Sequence, residues 1–317
     1  MSTAGGGPPT LLHMVGHLTV DDVVLPDGTT RMRQVGGAPV FAAAAARLAG
    51  MRATVVTAAA ASLPADVAAW LAREQIPVTE CGKTKRYISQ WVLYEQNGQR
   101  TFLHHPHSAD LYEAAPDSKL WPDRAGPGWA HIAPMPTSVQ AAWVRRLTSQ
   151  GFTVTLDPHE DSAMARPEEI LGLLPLLRAF LPSEAEAMRL SGGSDPIAAA
   201  REFVAAGVAV CVIKLGEAGC VVAAGPHAWQ IPSVAEGCVD ATGAGDAFCG
   251  GFLSALAQDL DPEAAGRYGT AAASFALEQF GVPSTRCRSP GTWAARLART
   301  QSRQLAGQPA VPHGRND

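Results

Sequence analysis

Short apolar runs recur along the chain with no polar alternation inside them: Leu11–Gly16, Ala53–Thr57, Trp129–Ala133, Thr153–Leu156, Ala179–Leu181, Val208–Ile213 and Cys220–Ala223. Runs of this kind predict strands buried on both faces. Between them lie longer segments with helical spacing and helix-terminal residues. These predict helices over Ala38–Ala49, Pro64–Arg73, Ser138–Ser149, Pro167–Arg178, Ser183–Ser191, Pro196–Ala206, Gly245–Gln258 and Pro262–Phe280. Strands alternating with helices predict a mostly parallel sheet covered on both faces, an α/β fold.

Two segments read differently. Arg86–Tyr94 and Gln99–His104 alternate apolar and polar residues around Asn97-Gly98, and Val23–Leu25 and Arg31–Arg33 flank Pro26-Asp27-Gly28. Both are hairpin signals with one exposed face. Together they predict a small β appendage, drawn from about residues 17–36 and 81–106. The main unit spans residues 1–300. Residues 301–317 are polar, contain Gly and Pro, and read as a flexible tail.

Apolar residues make up 47% of the 317-residue chain, enough for a large core, and charged residues 17%. The net charge of -4, without a basic block, argues against a nucleic-acid partner. The six cysteines include no CxxC pair, so reduced thiols in a cytoplasmic protein are expected. The N-terminus lacks the regions of a signal peptide, and no apolar stretch is long enough to span a membrane.

The chemistry concentrates in Asp240-Ala241-Thr242-Gly243-Ala244-Gly245-Asp246-Ala247-Phe248-Cys249-Gly250-Gly251-Phe252-Leu253. Gly243 and Gly245 let backbone amides approach a ligand, and those amides lie at a helix N-terminus suited to an anion. Asp246, in the first turn, can orient and deprotonate an attacking hydroxyl beside a phosphoryl group. A plain glycine-rich helix cap is the competing explanation for a short GxGD alone. GxxxxGK[ST] is absent, and no Gly stands at position 248 to complete a dinucleotide fingerprint.

This fourteen-residue string resembles the C-terminal signature of the PfkB, or ribokinase-like, carbohydrate kinases. Gly36-Gly37-Ala38-Pro39-Val40-Phe41-Ala42 is similar to the family's double-glycine motif at the sugar site. The resemblance implies a ribokinase-like, three-layer Rossmann-like sandwich with a β-sheet lid. It implies ATP-dependent phosphorylation of a small polyol, with Asp246 as base and Gly243, Ala244 and Gly245 as anion hole. Asp21, Gly36, Gly37, Ala38 and Phe41 fall at the acceptor. Lys214, Gly216, Glu217, Gly219, Thr242 and Thr270 fall at the nucleotide. Glu186 would order water around Mg2+, Asp240 would serve a monovalent cation such as K+, and a homodimer would form through the lid.

The sequence departs from the family pattern at the acceptor. Ala38 and Phe41 stand where an Asn is usual, Ser183 replaces the Asn before Glu186, and Asp157-Pro158-His159-Glu160-Asp161 lacks the family's Arg. The opening Val15–Asp21 and Leu25–Gly28 are similar, over a short span, to inositol kinases. The acceptor therefore stays open among sugar, cyclitol and nucleoside, with a sugar-phosphate acceptor and a catalytically silent binding protein as alternatives. Lys83, Lys85, Arg86 and Arg100 on the lid read either as edge protection or as phosphate contacts. A metal at His104, His105 and His107 is disfavoured, since neighbours in a strand face opposite ways.

Overall fold

The computed structural model describes residues 10–61, 63–96, 100–123, 128–159, 165–284 and 290–306. In chain order the elements are β1 (Leu11–Val15), β2 (Thr19–Val24), β3 (Thr30–Gly36), α1 (Ala38–Leu48), β4 (Arg52–Ala60), α2 (Ala65–Arg73), β5 (Val78–Thr84), β6 (Ile88–Tyr94) and β7 (Arg100–His104). Then follow β8 (Gly128–Ile132), α3 (Thr137–Ser149), β9 (Phe152–Leu156), α4 (Pro167–Leu171), β10 (Ala179–Phe180), α5 (Glu184–Ser191), α6 (Pro196–Ala205) and β11 (Val210–Lys214). The chain closes with β12 (Cys220–Ala224), β13 (His227–Ile231), α7 (Ala244–Leu256), α8 (Pro262–Leu277), α9 (Pro290–Arg299) and β14 (Arg303–Gln304).

Ten strands form one sheet in the order β14-β13-β12-β11-β10-β9-β8-β1-β4-β5. From β5 to β11 every pairing is parallel; β12, β13 and β14 complete the sheet as an antiparallel meander. The all-apolar strands of the sequence occupy its middle, where Leu12, Met14, Val55, Ile132 and Leu156 are fully buried. α7 sits against the sheet between α1 and α8. A side chain at Gly250 would overlap the Ala42 carbonyl, and one at Gly251 would press on Ala272, so these two glycines set how closely the three helices pack.

The second sheet has the order β3-β2-β6-β7: two antiparallel hairpins joined by a parallel β2–β6 pairing. The two hairpin patterns of the sequence thus share one lid sheet. Its outer strand β7 is exposed throughout, while Val92 and Val20 are buried beneath. The Asn97-Gly98 turn lies outside the described residues, as do Glu160, Asp161 and residues 307–317.

Some boundaries differ from the sequence reading. Helix α4 stops at Leu171 and the chain turns through Leu174–Leu176, because Pro175 cannot continue a helix. Residues 81–84, assigned to the lid, belong to β5 at the edge of the main sheet. Strands β5 and β13 lack the continuous apolar runs of the central strands and escaped notice. Residues 303–304, assigned to the tail, pair with Trp229 and Gln230 at the opposite edge. Among the described residues, no helix is long and apolar enough to cross a membrane.

Candidate active site

The chain leaves β1 for β4 on one side and returns through β8 on the other, so the strand order reverses at β1. Ligands of open α/β sheets sit at the carboxyl ends of the strands beside such a reversal. Those ends present His17 after β1, Asp157 after β9, Ser183 after β10 and Lys214 at the end of β11.

α7 starts above these ends. Gly243 is its N-cap, with φ 72 and ψ 5, a left-handed geometry that glycine adopts without strain. A side chain there would overlap the ring of Phe41, which is only 1% exposed. Phe41, read as an acceptor ligand, is instead the wall that fixes the N-cap of α7: its ring is buried and offers no hydrogen bond. The amides of the first turn have no intrahelical acceptor and lie at the positive end of the helix dipole; the Ala244 amide makes a long 3.4 Å bond back to the Ala241 carbonyl. Gly245 is exposed, and a side chain there would touch nothing of the protein closer than Lys214 Nζ, 3.6 Å away. That space is open for a ligand.

Asp246 lies half-buried in the same turn. Burial raises its pKa above the ordinary carboxylate value; the positive charges of Lys214 and Arg100 oppose the rise, and Glu186 adds to it.

Below the turn, Lys214 Nζ donates to Asp157 Oδ2 in a buried ion pair and lies 3.9 Å from Cys249 Sγ. Cys249 Sγ is 3.4 Å from the same Asp157 oxygen. Burial works against the lysine charge, but Asp157, Cys249 and Glu186 together push its pKa up, so Lys214 stays an ammonium. His131, Asp157 and Cys249 place ligand-type atoms within 4.8 Å of one another, but the ammonium already fills the cation position beside Asp157 and Cys249. The family resemblance placed this lysine at the nucleotide. It is turned inward and reaches the first turn of α7 from below.

On the acceptor side, Asp21 is 4% exposed and accepts from Gln90 Nε2 at 3.1 Å. Desolvation raises its pKa to about 6. A side chain at Gly36 would overlap the Asp21 carboxylate, and one at Gly37, where φ is 101, would overlap the His17 carbonyl. The double glycine therefore lets β3 and the start of α1 close around Asp21. Ala38 is half-buried at the first position of α1. Asp22 points elsewhere, accepting from the Arg33 amide at 2.6 Å and pairing with His105 Nε2 at 3.2 Å. His105 also stacks on Trp91, and His104 Nδ1 lies 3.3 Å from Ser108 Oγ.

The lid reaches the start of α7 directly. Tyr94 Oη lies 2.5 Å from Asp240 Oδ1 and 3.0 Å from Thr242 Oγ1, and Arg100 Nη1 donates to the Ala241 carbonyl at 3.0 Å. Asp240, 1% exposed, also accepts the Thr242 amide at 2.8 Å and the Gly281 amide at 3.2 Å. Three donors thus share the carboxylate read as a monovalent-cation ligand.

On the nucleotide side, Gly216 has φ 58 and open space around it, and Glu217 and Gly219 complete the turn after Lys214. Thr270 is buried in α8, 3.9 Å from Cys220 Sγ, and faces the packed interior instead of a ligand. Glu186 caps α5: its Oε2 accepts the Ser183 amide at 2.7 Å, and Ser183 Oγ accepts the Glu186 amide at 3.3 Å.

The roles of Asp157, Gln90 and Tyr94 escaped the sequence reading. A lysine closing an all-apolar strand and an aspartate closing another were the available signal for the ion pair. A polar residue on the inward face of a lid strand was the signal for Gln90 and Tyr94.

Residues 14–286 match the model of the pfkB family carbohydrate kinases. The cytidine kinase of Thermococcus kodakarensis is 27% identical over 276 residues, spanning 85% of this chain and 97% of that protein. A fructokinase of Escherichia coli is 28% identical over 264 residues, 77% of this chain and 83% of that one. In structure, the nucleoside kinase of Methanocaldococcus jannaschii superposes with a TM-score of 0.72 at 19% identity, covering 92% of this chain and 99% of that chain. A Vibrio cholerae fructokinase double mutant in fructose, ADP and potassium ion bound form superposes with a TM-score of 0.74 at 19% identity, covering 92% and 100%. With the reversal at β1, the glycine turn into α7 and Asp246 beside it, the chain belongs to the pfkB family of carbohydrate kinases and is an ATP-dependent small-molecule kinase.

Proposed function

We propose that the protein transfers the γ-phosphoryl group of ATP to a hydroxyl of a small neutral polyol: a sugar, a cyclitol or a nucleoside. The observation that carries this reading is Asp246 in the first turn of α7, beside the glycine turn of residues 243–245 and the buried Lys214 ammonium. Asp246 orients the acceptor hydroxyl and takes its proton as the new O–P bond forms and the bond from the γ-phosphorus to the β–γ bridging oxygen breaks, releasing ADP. The amides of Gly243, Ala244 and Gly245 hold the charge that develops on the phosphoryl oxygens. Lys214 adds a fixed positive charge beneath them and opposes the rise that burial gives the Asp246 pKa.

Asp21 is an acceptor of hydrogen bonds when ionised, suited to the hydroxyls of a polyol, with Gln90 holding its other side. A second phosphate would meet carboxylates at both Asp21 and Asp246, which favours a neutral acceptor. The names of the relatives, cytidine kinase and fructokinase, agree with a nucleoside or sugar hydroxyl. Gly216, Glu217, Gly219 and Thr242 would border the nucleotide. Glu186, a hard oxygen donor at the same strand ends, fits a Mg2+ held through water; the ion would neutralise phosphate charge.

The test is ADP formation across a panel of sugars, cyclitols and nucleosides, with kcat/KM compared for a free sugar and its monophosphate. Turnover with neutral acceptors supports the reading. A consistent preference for the phosphorylated member overturns the neutral acceptor, and no turnover with any member overturns the activity.

A further inference from the structure

Tyr94 and Arg100 stand directly opposite each other across the β6–β7 hairpin. Both reach the same three-residue stretch: Tyr94 to the Asp240 carboxylate and Thr242 hydroxyl, Arg100 to the Ala241 carbonyl. That stretch leads straight into Gly243, the N-cap of α7. We propose that Tyr94 and Arg100 are positioning residues that seat residues 240–242, so that lid closure and assembly of the anion hole are one event.

Four further observations support this. Gln90, Val92 and Tyr94 alternate with period two on one face of β6, so the strand that meets Asp21 is also the strand that meets Asp240. Asp240 in turn binds its own loop through the Thr242 amide, so a pull on the carboxylate moves the loop. Burial and the bond to Asp240 push the Tyr94 pKa up to about 12, which keeps the phenol a proton donor throughout the working pH range. Arg100 lies close enough to Asp246 to lower its pKa, so the same latch brings a positive charge to the base. An acceptor held between Asp21 and Asp246 would therefore be enclosed by the strand that completes the hole, and water would be excluded when the hole is ready.

The inference rests on the reading of Asp246 and residues 243–245 as the transfer site, and its test separates the two. Hydrogen exchange is measured on the unliganded protein and on Tyr94→Phe and Arg100→Gln. The expected result is faster exchange in both variants over residues 240–247 and 88–94 together, with residues 152–156 unchanged. In the kinase assay both variants should lose about tenfold or more in kcat while the nucleotide KM stays nearly constant, the scale of a lost hydrogen bond to a charged group. Arg100→Lys should recover part of the loss. Tyr94→Phe combined with Asp240→Asn should be no slower than the worse single variant, as expected of groups acting through one contact. Unchanged exchange over residues 240–247, or losses that multiply in the double variant, would overturn the proposal. If the parent protein phosphorylates no acceptor, the proposed function fails while the exchange comparison still decides the latch.

Discussion

The ring of Phe41, on α1, fills the space where a side chain at Gly243 would stand. A residue near the start of the first helix of the fold thus sets the start of the helix that carries the base. Two segments far apart in sequence are locked at one contact, and the glycine is demanded twice, by φ 72 and by the ring.

Gly243 and Gly245 should therefore fail in different ways. Gly243→Ala forces a methyl into the Phe41 ring and a side chain into left-handed backbone, and is expected to cost about 2–4 kcal/mol of stability. Gly245→Ala meets only ordinary contact with Lys214 and adds a better helix former, so the melting temperature should hold or rise. Its activity should still fall, because the methyl occupies the ligand's side of the turn. Thermal melts and kcat on the two variants check both halves.

Asp246→Asn should keep fold and nucleotide binding and lose about 10²-fold or more in kcat, the usual contribution of a positioned base. The wild-type pH profile should fall on the acid side above the ordinary carboxylate range, because burial raises the Asp246 pKa. Arg100 lowers that pKa by stabilising the anion. Removing its charge in Arg100→Gln raises the pKa, so the acid limb of kcat/KM should move to higher pH. A limb that stays in place or moves to lower pH contradicts the assignment.

Lys214→Met leaves Asp157 buried without its cation and is expected to cost about 3–5 kcal/mol near pH 8. Burial then makes the protonated acid the favoured form in the folded state, so the folded protein binds a proton that the unfolded chain has released. Stability should accordingly fall as pH rises, and the loss should shrink at pH 5. Lys214→Met with Asp157→Leu removes both charges and should recover most of the stability, without recovering activity. Denaturant unfolding at the two pH values tests this.

Asp21→Asn should improve stability at neutral pH while damaging acceptor binding. Desolvation raises the Asp21 pKa from 3.8 to about 6 in the folded state. Between these values the folded state holds more protons than the unfolded state, so the wild-type protein loses stability as pH rises through the window, about 3 kcal/mol. The variant lacks this loss, and its advantage should appear above about pH 6 and vanish near pH 4. The acceptor KM should rise in the same protein, a cost of function carried by a charge that the fold would rather not bury.

Much of this architecture is legible in the sequence because its signals are local. The apolar runs 11–15 and 152–156 and the glycine turn at 243–245 each declare themselves within a few residues, and the alternation in 86–94 separates lid from core. Contacts between distant residues do not. Nothing near Tyr94 announces Asp240, and Asp157 reads as an ordinary strand-end acid until the fold brings Lys214 beneath it. A lysine at a strand end usually escapes to water; here two buried neighbours, Asp157 and Cys249, hold Lys214 in. Strand β13 was missed since its apolar and polar residues alternate over only five positions, and β5 since it carries Glu80 and Lys83 at an edge.

The place of β1 also bears on how the chain must be made. Leu12 of β1 pairs with Ala53 on one side and with Trp129, far later in the chain, on the other. Early in synthesis it can gain only the first neighbour, and its second backbone edge stays open until β8 emerges. The Phe41–Gly243 contact comes later still, since residue 243 lies well beyond β8 in the chain. This interior strand of the finished sheet is thus an exposed edge until β8 is made, and in that interval off-pathway pairing with another nascent copy competes with closure. The layout that gathers the strand ends into one site makes vectorial folding slow, and strains of poor chaperone capacity should yield this protein largely as aggregate.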